Sequence, residues 1–463
     1  MADARLLVRN ALLITMAPGE DKPYVGWFTV DDLGKIIRIA AGEPPAGIGA
    51  EAEIDAKRAF VAPGFISAHS HLSTSGSRGL GHDVPLYGWG QHMTCYVRHC
   101  DAEDIYWVVM HGALDFLDNG ITTAYDFTDS RLPFAMIDGK RVQVGPFKPK
   151  EYAEAQFRAK VDAGIRFINS ILLNDELGDD AEIDRRFAET YQFAERYPDS
   201  GQYLGTAISG SVQWSTTPAT ARREVALMRQ YGIINQPHFL ETAEQLELQR
   251  SKFAWYADAG ALGPDLIFGH FVHPTSDMVT LAVRCGCAMC WQPTSNGRLA
   301  SGVADIPRFV SEGMRVGVGL DDQSCTDISD PFQNMRMGLY IQRAHRQDAQ
   351  AISVPQMLRL HTMGSAEALG IADRVGSLEP GKYADFLVVD PRAPDLGPLW
   401  DPVATYVLAC GLRNLKAVYV GGRCVSREGV SENPLAARAS EELHARLGRI
   451  AATIAPTMEA VPA

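Results

Sequence analysis

Between residues 63 and 373 the chain repeats one local pattern: a short apolar run, a break, then a stretch with helical spacing. Seven such runs are "GITTAYDF", "GIRFINSILL", "QYLGTAIS", "IINQPHFL", "DLIFGHFVH", "CAMCWQP" and "RVGVGLD", and an eighth precedes them in "APGFISAHSHL". Segments such as "TARREVALMRQYG" and "AEQLELQRSKFAWYADAG" place apolar residues at helical spacing between some of them. Strands alternating with helices imply a parallel sheet, and eight βα units over about 300 residues predict an α/β fold, a (β/α)8 TIM barrel.

The two ends read differently. Residues 1–62 contain "ARLLVRNALLITM", "GWFTVDDLGKIIRIA" and "AEIDAKRAFVAPG", and residues 374–430 contain "GSLEPGKYADFLVVD" and "LKAVYVGGRCV". These are short alternating runs broken by turn residues, and the first of them reads as two short strands. Neither end has enough apolar surface for its own core, so both are expected to meet in one small β-sandwich beside the barrel of 63–373. The segment 431–463, with "PLAARASEELHARLGRIAATI", reads as a final amphipathic helix.

Composition narrows the partners. A net charge of -13, from 43 basic and 56 acidic residues, argues against nucleic acid and anionic membranes, which call for basic patches. No run approaches the roughly 18 apolar residues of a membrane span. The opening "MADARLLVRN" interleaves arginine with apolar residues and does not read as a signal peptide, so a cytoplasmic protein with a small-molecule substrate is expected. Of the eight cysteines, only Cys285, Cys287 and Cys290 cluster. Their stretch, "TLAVRCGCAMCWQP", reads as a helix end and a buried strand, which makes them packing residues.

In a barrel of this kind chemistry sits at the C-terminal strand ends. The first strand ends in His69 and His71, which share a face because strand side chains alternate. "IINQPHFLET" brings His238 and Glu241, "LIFGHFVH" brings His270 and His273, and "VGVGLDDQS" brings Asp321 and Asp322. Each of these residues alone is equally at home as a satisfied core histidine or a solvated acid. Their recurrence at one mouth points to a site. Three histidines and one carboxylate suit one ion of zinc, or of iron, cobalt or manganese. Such an ion lowers the pKa of its bound water from about 15.7 to near 7. Asp321 is then placed to accept the water's proton, Glu241 to protonate a leaving group, and His270 to hydrogen-bond the hydroxide or an oxyanion. His273, before Pro274, reads as a helix start. The strand register leaves open whether Asp321 or Asp322 faces the ion. Trp89, His92, Tyr96, Trp214 and Trp291 are candidates for an aromatic substrate pocket, with Asp322 at its edge, although each aromatic also suits core packing.

These motifs together resemble the amidohydrolase superfamily, and more narrowly its triazine-hydrolase and aminohydrolase branch, which includes atrazine chlorohydrolase and the guanine and S-adenosylhomocysteine deaminases. "APGFISAHSHL", "SRGLGHDVPLYGWGQHM", "HFLET", "FGHFVH", "GLDD" and "GSLEPGKYADFLVVD" are similar to the family's motifs in order, over nearly the whole chain. The resemblance implies that His69, His71, His238 and Asp321 are metal ligands, with Glu241 and His270 contacting water, oxyanion and protons. Many relatives carry two metals bridged by a lysine on the fourth strand. Here no lysine lies between Lys160 and Lys252, so one divalent metal per chain is expected. Deaminases of the branch commonly have a histidine before the proline of Pro-x-Ser-Asn, where this chain reads "CWQPTSN"; "GLDDQS" likewise replaces Gly-Thr-Asp-Gly. Those departures tilt the expectation toward hydrolysis of an amide, urea or carbamate, as in relatives that degrade phenylurea and thiocarbamate herbicides. Deamination of a purine, pyrimidine or triazine is the alternative, triazine dechlorination a third, and a non-catalytic binding protein on the same fold a remote fourth. The native substrate is not readable from the sequence. Dimers and higher homo-oligomers occur in the family, and the sequence does not specify a state.

Overall fold

The computed structural model describes residues 4–20, 22–137, 140–173 and 179–458. All eight predicted strands are present. They are β1 (Phe65–His71), β2 (Ile121–Phe127), β3 (Arg166–Leu172), β4 (Tyr203–Ser209), β5 (Ile234–Asn235, resuming at His238–Phe239), β6 (Ile267–His270), β7 (Ala288–Trp291) and β8 (Arg315–Val318, resuming at Asp321–Asp322). Every pairing among them is parallel. The interruption of β5 follows from Pro237, which cannot donate to a ladder. At the break in β8 only glycine fits, since a Cβ on Gly319 would lie 2.6 Å from the His69 carbonyl oxygen. The two halves of β8 face different neighbours: Arg315–Val318 pairs with β7, whereas Asp321 and Asp322 pair with Ser70 and His71 of β1.

The chain ends meet in one nine-stranded sheet. Ala4–Leu13 is a single strand, not the two expected, bent by a register shift between Val8 and Ala11 where Asn10 takes φ 50°. Within "GSLEPGKYADFLVVD" only Phe386–Val389 is a strand, and it pairs antiparallel with Phe60–Pro63. Phe60–Pro63 passes through Gly64 straight into β1, so the terminal sheet anchors the strand that carries His69 and His71. Gly64 is obligatory there, since a Cβ would lie 2.1 Å from Thr122 Oγ1. The tail forms the helix Ala436–Met458. Through Arg446 Nη1 it holds the buried Asp104 of the helix Ala102–Asp118 at 2.8 Å.

Two elements over the strand ends lie in segments with no predicted structure. Leu86–Val97 is a helix carrying Trp89, His92 and Tyr96. Phe134–Ile137 and Lys140–Gln143 form a two-stranded hairpin. Among the described residues no helix is long and apolar enough to cross a membrane.

Candidate metal centre and substrate cleft

The parallel register assembles the site. Asp321 sits opposite Ser70, between His69 and His71, and His238 sits opposite Gly269 one residue before His270. The three imidazole Nε2 atoms converge: His69 to His238 is 3.1 Å, His71 to His238 is 3.2 Å, and His71 to His69 is 3.4 Å. Asp321 Oδ1 lies 3.6 Å from the Nε2 of both His69 and His71. Nitrogens bound tetrahedrally to zinc at about 2.0–2.1 Å are separated by about 3.3–3.4 Å, so these spacings fit one such ion. Asp321 rather than Asp322 stands at the centre of the cluster. Asp322 Oδ2 reaches only His71, at 3.7 Å.

Electrostatics favour the protonation states that metal binding needs. Burial holds His69 neutral and drives His238 well below the usual imidazole range, while burial and the neighbouring His69 bring His71 down to about 3. Burial pushes Asp321 up, but the facing imidazoles of His270, His69 and His71 and the Ser295 hydroxyl bring it below the usual carboxylate range. Ser295 Oγ donates to its Oδ2 at 2.6 Å. Metal binding requires neutral imidazole and ionised carboxylate, and these groups are shifted in those directions.

A second layer of side chains orients the first. His69 Nδ1 lies 2.5 Å from Gln236 Oε1, and the Gln236 amide donates to the Ala68 carbonyl at 3.0 Å. The His69 proton is thereby placed on Nδ1 and the Nε2 lone pair turned to the cluster. The ring is boxed in: Phe127 lies 4.4 Å away between centroids, and a Cβ on Gly269 would come within 3.0 Å of it. Outer partners of this kind are worth about 10–100-fold in metal affinity. Gln236→Leu is therefore expected to weaken zinc binding by about that factor, as read by competition with a chelator. Unchanged affinity would show that packing alone orients His69.

Glu241 and His270 form the opposite wall. His270 Nε2 is 3.5 Å from Glu241 Oε2 and 3.7 Å from Asp321 Oδ2, and Asn296 Nδ2 donates to His270 Nδ1 at 2.9 Å. That contact leaves the His270 proton on Nε2, facing the two carboxylates. Burial brings His270 down to about 3. Burial, then the Asp321 and Glu244 charges, raises the Glu241 carboxyl well above its usual range, and its Oε2 has no hydrogen-bond partner among the described residues. Leu240, His270, Phe271 and Asp321 all have positive φ, between 45° and 69°. Such conformations cost of order 1–3 kcal/mol each in non-glycine residues, and here they lie at or beside the residues named above.

The cluster opens into a cleft lined by Trp89, Phe127, Phe134, Trp214, Arg141 and Asp322, among others. The Arg141 guanidinium lies 4.1 Å over the Trp214 ring and 5.1 Å from that of Phe134. Three of the predicted pocket residues are placed elsewhere. Tyr96 is buried and its hydroxyl donates to the Ser73 carbonyl, because helix Leu86–Val97 turns that face inward. His92, on the same helix, bonds the Gly88 carbonyl at 2.9 Å. Trp291, 2% exposed, packs against Gly338, where a Cβ would lie 2.6 Å from the indole. His273 bonds the Ser301 carbonyl at 2.6 Å and precedes the helix Ser276–Cys285, as its "HPTS" context suggests. All eight cysteines are free.

Gln236, Ser295, Asn296 and Arg141 did not emerge from the sequence as site residues. Gln236 was findable, since it is two residues before His238 in an extended segment. Ser295 and Asn296 lie in the "PTSN" motif. Arg141 sits in a hairpin with no sequence signal.

Known proteins share this architecture. An adenosine deaminase from Xanthomonas campestris with bound zinc superimposes with a TM-score of 0.82 at 21% identity, covering 96% of this chain and 98% of the other. The atrazine chlorohydrolase from Arthrobacter aurescens complexed with zinc gives 0.80 at 20% identity, covering 95% and 99%. A 5-methylthioadenosine/S-adenosylhomocysteine deaminase from Desulforudis audaxviator is 26% identical over 430 residues, 91% of this chain and 94% of its own. The amidohydrolase family model matches residues 60–425. With most of its length matched, the chain belongs to the amidohydrolase family.

Proposed function

We propose that this chain is a metal-dependent hydrolase that cleaves a carbon–nitrogen bond, other than a peptide bond, in a small neutral molecule. The observation that carries the reading is the convergence of three neutral imidazole Nε2 atoms and one carboxylate, with a raised carboxyl opposite them. His69, His71, His238 and Asp321 would hold one divalent ion, zinc by the donor set. When bound, that ion supplies an acidified water and polarises the group under attack. Glu241 would carry the proton between the attacking water and the departing nitrogen, its carboxyl being raised by burial and by the Asp321 and Glu244 charges. His270, a neutral Nε2–H donor, stabilises oxygen charge that develops between Glu241 and Asp321. Asp321 combines the roles of ligand and hydrogen-bond acceptor for the water. Trp89, Trp214, Phe127 and Phe134 supply flat apolar walls for an aryl or heteroaryl group.

Within that chemistry the acyl carbon of an amide, urea or carbamate is the preferred target. Gln292 stands before Pro293 where deaminases of the branch commonly have histidine, and its buried amide makes no hydrogen bond among the described residues. Deamination of an amino-heterocycle is the second reading, favoured by the deaminase relatives. A product assay on metal-replete protein separates the two. Aryl ureas, carbamates and anilides in one set should release organic amine, with no ammonia from amino-heterocycles in the other. Ammonia from the heterocycles would make the second reading correct, and no product from either set would refute both.

The wider organisation is part of the same proposal. The double pairing of β8, with β7 and with β1, and the bridge from Asn235 to Leu266 support a closed eight-stranded barrel over 63–373. Residues 1–62 and 374–430 would form the accompanying sandwich, and 431–463 the terminal helix. Eight unpaired cysteines support a reducing, cytoplasmic setting.

A further inference from the structure

The helix Asp180–Arg196 carries a cation that the fold buries without fully matching it. Arg186 is 7% exposed, and its Nε and Nη2 are buried with no hydrogen-bond partner among the described residues. Its ion pair is a long one, from Nε to Glu182 Oε1 at 3.8 Å. Glu182 is held more closely by Arg185, whose Nη2 lies 2.8 Å from Oε2. Glu189 is taken by Arg131 at 3.0 Å and by Arg185 as well. Three guanidinium groups thus share these two carboxylates, and Arg186 is the one left without a hydrogen bond. Asp179, the remaining acid nearby, accepts from the Glu182 amide at the start of the helix. Burial pulls the Arg186 pKa down, Glu182 pushes back, and Arg131 and Arg185 pull it down further.

Arg186 lines a cavity of its own, behind one wall of the cleft: Thr128, Asp129, Ser130 and Leu172 border both. None of the four clustered ligands borders it, nor does Glu241 or His270. Arg131 is in the lining too, and the two guanidinium carbons lie 4.4 Å (Arg131) and 4.8 Å (Arg186) from the centre of the Phe147 ring. Asp129, the acid of the lining, is engaged by the Tyr152 hydroxyl at 2.6 Å. Most of the remaining wall is apolar, with Ile171, Leu173 and Phe187. Buried charges are ordinarily paired, and a guanidinium matches the two oxygens of a carboxylate through paired N–H donors. We propose that this cavity binds a small monocarboxylate with a short apolar tail, its carboxylate held by Arg186 and Arg131. The tail would lie against Phe147, Leu173 and Phe187. Sulfate and phosphate, which have no apolar part and lose more hydration, suit such a lining less. The site is independent of the metal cluster and of the reaction proposed for it.

The test compares butyrate with butyramide, which has the same shape and no charge, by calorimetry on the zinc-loaded full chain. Butyrate is expected to bind saturably and at least about tenfold tighter than butyramide. Arg186→Met keeps the length of the side chain and removes its donors. It should weaken butyrate by at least about tenfold, leave butyramide within about twofold, and leave zinc content unchanged. Glu182→Gln, at a side chain that is 37% exposed, guards against misfolding of the methionine variant. It should tighten butyrate by at least about threefold, since the acid competing for Arg186 is neutralised. Undiminished butyrate affinity in folded Arg186→Met would place the anion on the zinc ion or elsewhere in the cleft. That result, equal affinities for butyrate and butyramide, no tightening in Glu182→Gln, or no saturable butyrate binding would overturn the proposal.

Discussion

Glu241→Gln is expected to lower turnover by about two to four orders of magnitude, the range for loss of a positioned proton carrier, while zinc stays at one equivalent per chain. Glutamine preserves the size and hydrogen-bonding outline of the side chain but cannot shuttle a proton. Retention of zinc is expected because His69, His71, His238 and Asp321 form a complete four-ligand group without Glu241, which falls with His270 and Asp321 in a second, three-residue group. The raised carboxyl has a stated origin in burial and the charges of Asp321 and Glu244, so the effect is specific to an ionisable group at this position. Elemental analysis and the product assay on the same preparation check both halves. Turnover within a fewfold of the unaltered protein would remove Glu241 from the chemistry, and loss of zinc would make it a ligand instead.

His69→Ala should abolish zinc binding and activity together. His69 is the most enclosed of the four, 0% exposed, and its Nε2 lies within 3.1–3.6 Å of His238, His71 and Asp321. Removing the imidazole takes one corner from the cluster and leaves the Gln236 side chain facing a cavity. A readout independent of catalysis exists, because an ion that binds only the folded state stabilises it by RT ln(1 + [L]/Kd), about 2.7 kcal/mol at 100 times Kd. Zinc should raise the melting temperature of the unaltered chain and leave that of His69→Ala unmoved. An undiminished zinc-dependent shift in the variant would place the ion elsewhere.

The strands were legible because buried parallel strands read as short apolar runs whatever surrounds them. Histidines and acids at the ends of such runs stand out for the same reason, which is how His69, His71, His238, Glu241, His270 and Asp321 became candidates together. The choice between Asp321 and Asp322 was not legible. It depends on pairing with Ser70 across the sheet and on a positive φ at Asp321, neither of which is written in local pattern. The helix Leu86–Val97 was hidden by Gly88 and Gly90, which lower helix propensity, and by a start at Pro85 with no side-chain cap. Its absence from the prediction explains the misplacement of His92 and Tyr96: without a helical period, the inward and outward faces of that segment could not be told apart. Trp291 was misplaced for a related reason, since packing against Gly338 is a contact between residues far apart in the chain. The outer layer of Gln236, Ser295 and Asn296 is likewise tertiary, although strand alternation puts Gln236 on the face of His238.

The central claim is that one divalent ion at the His69, His71, His238 and Asp321 cluster enables cleavage of a carbon–nitrogen bond. Its most direct test is to strip the protein of metal, return zinc in graded amounts, and follow amine release from an aryl urea, carbamate or anilide on each sample. Release should rise in proportion to bound zinc and reach its plateau at one equivalent per chain. Release from the stripped protein, a requirement for a second equivalent, or no release at full loading would contradict the account.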